Sequence, residues 1–312
     1  MKKIYLSLVL FLGFAQLNAQ WIYSTAVSSN ISGTYTDLGT NGTAITTNFA
    51  GGAMTYDDAN SSVQNIGFNF LYNGTTFTQF VLNSNGFIKL GSTAPAAANI
   101  FYTTSTASTA GSTIQSAETN LIYPLNHDLQ GAVSPEYRVY TSGVAPNRTC
   151  IIQFKNLKDK IGTAAQLQFS NMQFQIKLTE TTNAIDFIYG TWTSNGNAPA
   201  FKTFAVGIKG SSIANSINVT KSSAGTWNTS TFLAGNYTGN SHNIRNEFMP
   251  DAGRTYHFET AKPNDLSVNQ IYTLGKIPIP AGAPHVISAV ITNVGLNAKT
   301  NVNVTLNVTG AN

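Results

Sequence analysis

The segment Ile66-Gly67-Phe68-Asn69-Phe70-Leu71-Tyr72-Asn73-Gly74-Thr75-Thr76-Phe77 carries two signals at once. Its first seven residues alternate, with Ile66, Phe68, Phe70 and Tyr72 on one face of a strand and Gly67, Asn69 and Leu71 on the other. Asn73-Gly74 then breaks the alternation. A type I′ turn needs positive φ at both central positions, which Asn and Gly tolerate, so the segment predicts a β-hairpin with one apolar face.

The same pattern recurs outward along the chain. Phe174, Ile176 and Leu178 fall on one side of a strand, with Gln173, Gln175 and Lys177 turned outward. Further strands are predicted over residues 77–82, 87–90, 137–140, 150–154, 185–189, 204–208 and 255–258, all dominated by β-branched and aromatic side chains. Asn85-Gly86 and Asn195-Gly196 are additional turn candidates. Helical periodicity is hard to find after the first residues, so the predicted fold class is all-β: a sandwich or jelly roll. Two segments, 92–119 and 209–250, are too long for simple turns, and long loops on a rigid sheet are where contact surfaces usually sit.

Composition supports this reading. Only 10% of the 312 residues are charged while 42% are hydrophobic. The apolar content excludes disorder, and the scarcity of charge excludes a coiled coil or helical bundle. The formal charge is +4, from 17 basic and 13 acidic side chains. Loss of Lys2 and Lys3 would halve that excess, and no Lys/Arg cluster exists to neutralise a row of phosphates. Nucleic acid is therefore not an expected partner.

Residues 1–19 read as a signal peptide: Lys2-Lys3, an apolar run from Ile4, and Leu17-Asn18-Ala19 before Gln20. That run is too short to span a bilayer, and no later segment qualifies, so no transmembrane segment is expected after its removal. The expected location is secreted or cell-surface. Export permits disulfides, yet Cys150 is the only cysteine. It lies in a predicted strand and reads as a small buried hydrophobe.

No catalytic constellation emerges. His127, His242, His257 and His285 lack metal-ligand spacing, and His127-Asp128, adjacent on an extended chain, point to opposite faces. There is no Gly-x-Ser-x-Gly elbow. The sequence predicts no catalytic residue, cofactor or assigned metal ligand. Asp57, Asp58 and Asn60 form the best oxygen-rich cluster for calcium, without the spacing of an EF-hand loop. Trp21, Trp192 and Trp227 either form a sugar-stacking platform or fill the core.

Near Ala261 the character changes. Ala261-Lys262-Pro263-Asn264-Asp265 reads as a linker, followed by predicted strands over 266–271, 286–292 and 301–308. Fewer than fifty residues cannot make an immunoglobulin-like sandwich of about 100. The expected organisation is a signal peptide over 1–19, a β-sandwich module over 20–260 and an incomplete immunoglobulin-like domain over 261–312.

The run from Phe68 to Phe77, with Val81-Leu82-Asn83-Ser84-Asn85-Gly86-Phe87-Ile88-Lys89-Leu90-Gly91, resembles a module of exported surface proteins that use type IX secretion. With Asn120-Leu121-Ile122-Tyr123-Pro124-Leu125-Asn126-His127-Asp128-Leu129 and Met249-Pro250-Asp251-Ala252-Gly253-Arg254-Thr255-Tyr256, it is similar to the nidogen-type extracellular domain over about residues 60 to 260. Where relatives carry an aromatic and two acids, this chain has Asn126-His127-Asp128. From Asp265 onward, Asn264-Asp265-Leu266-Ser267-Val268, Val290-Ile291-Thr292-Asn293-Val294-Gly295 and the 302–308 run resemble the cell-adhesion-related bacterial domain, CARDB. The CARDB resemblance implies an immunoglobulin-like fold with an adhesive or spacer role. The signal segment, the strand-only pattern, the low charge and the absent catalytic constellation predict a secreted, non-catalytic surface protein that binds an extracellular protein or glycan. The alternative expectation is an accessory, carbohydrate-binding region of a larger secreted hydrolase.

Overall fold

A computed structural model describes residues 21–48, 54–98, 117–160, 167–236, 242–272 and 287–307. The expected signal peptide and most of segment 92–119 lie outside these residues. The strands are, in chain order, β1 Ser29–Ser32, β2 Thr43–Ile45, β3 Thr47–Asn48, β4 Asn60–Ser61, β5 Gln64–Tyr72, β6 Thr75–Asn83 and β7 Phe87–Leu90. Next come β8 Leu121–Asn126, β9 Leu129–Ser142, β10 Thr149–Asp159, β11 Phe169–Thr179, β12 Ile185–Tyr189 and β13 Thr193–Ser194. The series ends with β14 Lys202–Lys209, β15 Ser216–Thr220, β16 Thr231–Ala234, β17 His242–Ile244, β18 Arg254–Phe258, β19 Leu266–Tyr272 and β20 Ser288–Asn293.

Two large sheets hold β1–β18. The first runs β1-β18-β12-β11-β10-β9-β2, and the second β16-β15-β14-β8-β7-β6-β4-β3, with β5 pairing β6 and β17 pairing β14. All of these pairings are antiparallel, so one face of each sheet can turn inward while the other meets solvent. The predicted hairpin forms: Asn73 and Gly74 have φ of 49° and 70°, and Tyr72 faces Thr75 across the turn. Ile66, Phe70 and Tyr72 are fully buried and Phe68 nearly so, opposite Phe154, Phe174, Ile176 and Leu178 from the other sheet in one continuous core.

Buried tyrosines join the layers. Tyr189 on β12 donates to Pro124 O at 2.7 Å, an acceptor on a residue that has no N–H to contribute to the ladder. Fully burying each large apolar side chain contributes ~1.5–3 kcal/mol, so this core outweighs the absence of any disulfide. Cys150 is buried as expected, and desolvation pushes its thiol up to about 12.

Three expectations are corrected. Segment 209–250 is not a loop: β15, β16, β17 and a 3-10 turn at Trp227–Thr229 lie within it, and Ile217, Val219 and Ile244 are core residues. Gln175 does not face solvent, because residues 35–38 cover it. Its amide nitrogen, Nε2, donates to Thr36 O at 2.7 Å and to Gln153 Oε1 at 2.8 Å. Residues 302–307 form no strand. Alternation sets which face a side chain takes only once a partner strand exists. Among the described residues Val302, Val304 and Leu306 have none, and they are 41%, 62% and 55% exposed.

After the linker, β19 and β20 pair as an antiparallel hairpin. The segment after β20 closes on the linker, with the N–H groups of Val294 and Gly295 both donating to Asp265 O at 3.1 Å.

Candidate functional site

The oxygen-rich cluster predicted from Asp57, Asp58 and Asn60 assembles differently. Asp57 and Asp58 converge with Asp128, their oxygens all within 4.8 Å of one another. Asn60 turns away to bond Pro95 O and Asn83, each at 2.7 Å. Asp58 is held by Asn85, whose Nδ2 donates to its Oδ1 at 2.9 Å. Lys160 brings its ammonium among the three carboxylates, 2.9 Å from Asp57, 3.9 Å from Asp58 and 3.8 Å from Asp128. Calcium takes six to eight oxygen ligands, and here a fixed cation already meets the shared carboxylates. Lys160 offsets one of the three carboxylate charges, and the converging oxygens of Asp57, Asp58 and Asp128 form a group of the kind that could hold a metal ion, with fewer ligands than calcium takes.

Burial raises Asp128 to about 6; Lys160 opposes the rise, while Asp58 and Asp57 add to it and Lys202 opposes it weakly. The folded state therefore holds this proton more tightly than the unfolded chain. Its contribution to stability is present below about pH 4 and is lost as pH rises through about 6. Asp128→Asn should remove that component and raise stability at neutral pH by about 1 kcal/mol, a modest figure because the group is partly solvated. Melting temperatures of parent and variant from pH 4 to 7 check this; parallel curves would contradict it.

His127 and Asp128 lie in the bend between β8 and β9, not on a strand, and differ in burial: His127 is buried and Asp128 half-buried. His127 is buried with its ring 4.4 Å from Phe204, and burial lowers it to about 4, so it is neutral at physiological pH. His257 lies on the outer side of β18, between Asp186 at 2.6 Å and Glu259 at 3.1 Å. These carboxylates hold its pKa above the ordinary value despite partial burial. His285 lies outside the described residues.

Trp192 and Trp227 are 4% and 1% exposed, which settles the alternative in favour of core filling. Trp21 is partly buried and packs edge-on against Tyr72 at 5.6 Å. Neither Trp192 nor Trp227 offers an open face for a pyranose ring.

The sandwich instead presents a continuous polar surface along β5. Between Asn65 and Phe70 the pairing of β5 with β6 shifts register, and the free edge of β5 is closed by side chains of the opposite sheet. Thr141 Oγ1 donates to Ile66 O and Arg148 Nη1 to Gly67 O, both at 2.7 Å, while Asn183 Oδ1 accepts from Leu71 N at 2.8 Å. Gly67 has φ of 93° and a Cβ there would meet Thr141 Cγ2 at 2.9 Å, so glycine is required for this closure. Arg148 makes a two-pronged contact with Glu180 at 2.8 and 2.5 Å and lies 5.6 Å from the Phe68 ring centre.

Two shallow clefts of about 470 and 430 Å³ meet on this surface and share Asn65 and Gly67. Asn69, Thr78, Arg148 and Glu180 continue one cleft; Thr43, Gln64, Tyr140 and Thr141 continue the other.

The family described as NIDO related, that is nidogen-related, matches residues 25–260. The chain belongs to the nidogen-related family. That span coincides with the two-sheet sandwich and stops at the linker. No curated protein and no solved structure matches the chain. A nidogen-related domain is an extracellular interaction module, and no helix among the described residues is long and apolar enough to cross a membrane.

Within the nidogen-related domain, sequence reasoning found Asp57 and Asp58 but did not join to them Asp128, between β8 and β9, and Lys160, just past β10, which reach them from far along the chain with no local spacing to announce it. It also missed Asn65, Thr141 and Arg148. The one available signal was Gly67 inside an otherwise β-rich strand, since a strand glycine often marks close backbone approach.

Proposed function

We propose that the nidogen-related domain is a non-catalytic interaction module that contacts an extracellular protein or glycan through the β5 surface. The supporting observation is the pair of clefts meeting at Asn65 and Gly67, lined mainly by amides and hydroxyls and one self-neutralised ion pair. Such a lining matches a neutral, hydroxyl- or amide-rich partner better than a phosphate or polyanion. Because side chains already close the β5 edge, the partner engages side chains and does not add a strand. Deep burial of His127, His242 and Cys150 keeps these groups from meeting a substrate and supports the non-catalytic reading.

The same lining supports the carbohydrate-binding alternative, with the domain as an accessory to a hydrolase. Export by type IX secretion is part of the proposal. For residues 261–312 we infer a CARDB-like adhesive or spacer role. The β19–β20 hairpin supports it, with Val268, Ile271, Ile291 and Leu306 around an apolar cleft of about 260 Å³. A lone two-stranded hairpin is marginal in water, so this face needs a cover.

Arrays of neutral glycans and of extracellular proteins probed with the parent and with Asn65→Arg/Asn69→Arg test the contact surface. Both asparagines are exposed, so the expected result is an unchanged melting temperature with binding reduced at least tenfold. Binding equal to the parent's would remove this surface from consideration.

A further inference from the structure

Lys202 opens β14 in one sheet and Asp159 closes β10 in the other. Their side chains are 1% and 0% exposed, and Lys202 Nζ directly contacts Asp159 Oδ2. Charges so completely withdrawn from water are costly, and the pair reaches no solvent that would repay the cost. Burial pushes Lys202 toward its neutral amine, opposed mainly by Asp159. Passing one proton from Nζ to Oδ2 leaves an amine against a carboxylic acid and removes both buried charges.

The carboxyl is also held from its other side by backbone donors. Phe169 N–H donates to Oδ1 at 2.9 Å, and Gln168 N–H lies 3.0 Å from Oδ2 and 3.3 Å from Oδ1. Donors aimed at a carboxyl oxygen stabilise the negative charge that develops there when a nucleophile adds to the carbon. Nucleophile, electrophile and oxyanion donors are thus fixed together in a dry interior, where held proximity replaces the entropy of encounter. The pair acts electrostatically on His127, which is neutral and whose Nε2 lacks a hydrogen-bond partner, and Asp128 acts electrostatically on Lys202.

We propose that Lys202 and Asp159 join in an intramolecular isopeptide bond that staples the two sheets of the sandwich. After the internal proton transfer, Nζ adds to Cγ of the Asp159 carboxylic acid, and Oδ1 takes the negative charge beneath the Phe169 and Gln168 N–H groups. Collapse re-forms the C=O bond and breaks Cγ–Oδ2. That oxygen leaves as water with the proton it received and one further proton from Nζ. One amine and one carboxylic acid become one amide and one water, with no oxidant or co-reactant. The product is a neutral amide where an ion pair stood. It closes a loop between positions 43 residues apart. A chain whose only cysteine is Cys150 cannot supply such a link by a disulfide.

Mass spectrometry of the purified, folded full chain tests this without any variant. The expected result is an intact mass lower than that of the processed sequence by one water, and a branched proteolytic peptide joining the Lys202 and Asp159 segments. Lys202→Arg should regain the full sequence mass and, in denaturing gels, migrate as a linear chain behind the stapled parent. Linear peptides carrying unmodified Lys202 and Asp159 in the folded parent would overturn the proposal, whether or not Lys202→Arg folds.

Discussion

Phe174→Asp should abolish folding of the nidogen-related domain. Phe174 is wholly buried at the centre of β11, with Phe154 of β10 facing it on one side and Tyr189 of β12 on the other. Its ring stacks on Phe154 with centroids 4.8 Å apart and planes 20° from parallel. Truncating such a ring costs about 3–5 kcal/mol, and an unpaired carboxylate in its place adds several more. A domain of ordinary stability has about 5–15 kcal/mol in total, so the combined loss consumes most or all of it. Circular dichroism and size exclusion should show an unfolded or aggregated product. A soluble variant with the parent melting temperature would contradict the two-sheet core.

Trp227→Ala is the second large effect. The indole packs against Tyr189 at 4.7 Å, His242 at 4.6 Å and Trp192 at 5.3 Å, and its Nε1 donates to Phe248 O at 2.7 Å. Alanine leaves a cavity among these rings and an unmet carbonyl, a loss of about 3–5 kcal/mol that lowers the melting temperature by roughly 10 °C. Binding by the molecules that remain folded should be unchanged, because the indole presents almost no surface. Loss of glycan binding without loss of stability would restore Trp227 as a stacking platform.

The parts of this fold legible in the sequence were those where a local pattern and a long strand coincide. The Asn73-Gly74 hairpin declares itself because turn chemistry and alternation agree over twelve residues. β7 and β12 fall where predicted, at Phe87–Leu90 and Ile185–Tyr189. Segment 209–250 was opaque because β15, β16 and β17 have five, four and three residues, too few to show a period among Asn, Gly and Ser. The 302–307 run misled in the opposite direction, since alternation without a partner strand leaves apolar side chains exposed.

Functional geometry was less legible, because topology creates it. Lys160 reaches Asp57 across 103 positions, and Asn183 reaches Leu71 across 112. Gln175 reads as outward by parity alone, and only the passage of residues 35–38 over that face turns it into a buried amide. Parity fixes which face of a sheet a residue takes; it does not say what later covers that face.

The central claim is that this sandwich works from its outer surface while its interior polar groups serve the fold. Amide hydrogen exchange of the full chain, with and without the strongest ligand from the arrays, tests that claim most directly. The account predicts new protection at residues 64–69, 78 and 139–141, with no change around His127 and His242. Protection confined to the strands around those histidines, with the β5 surface unaltered, would contradict it.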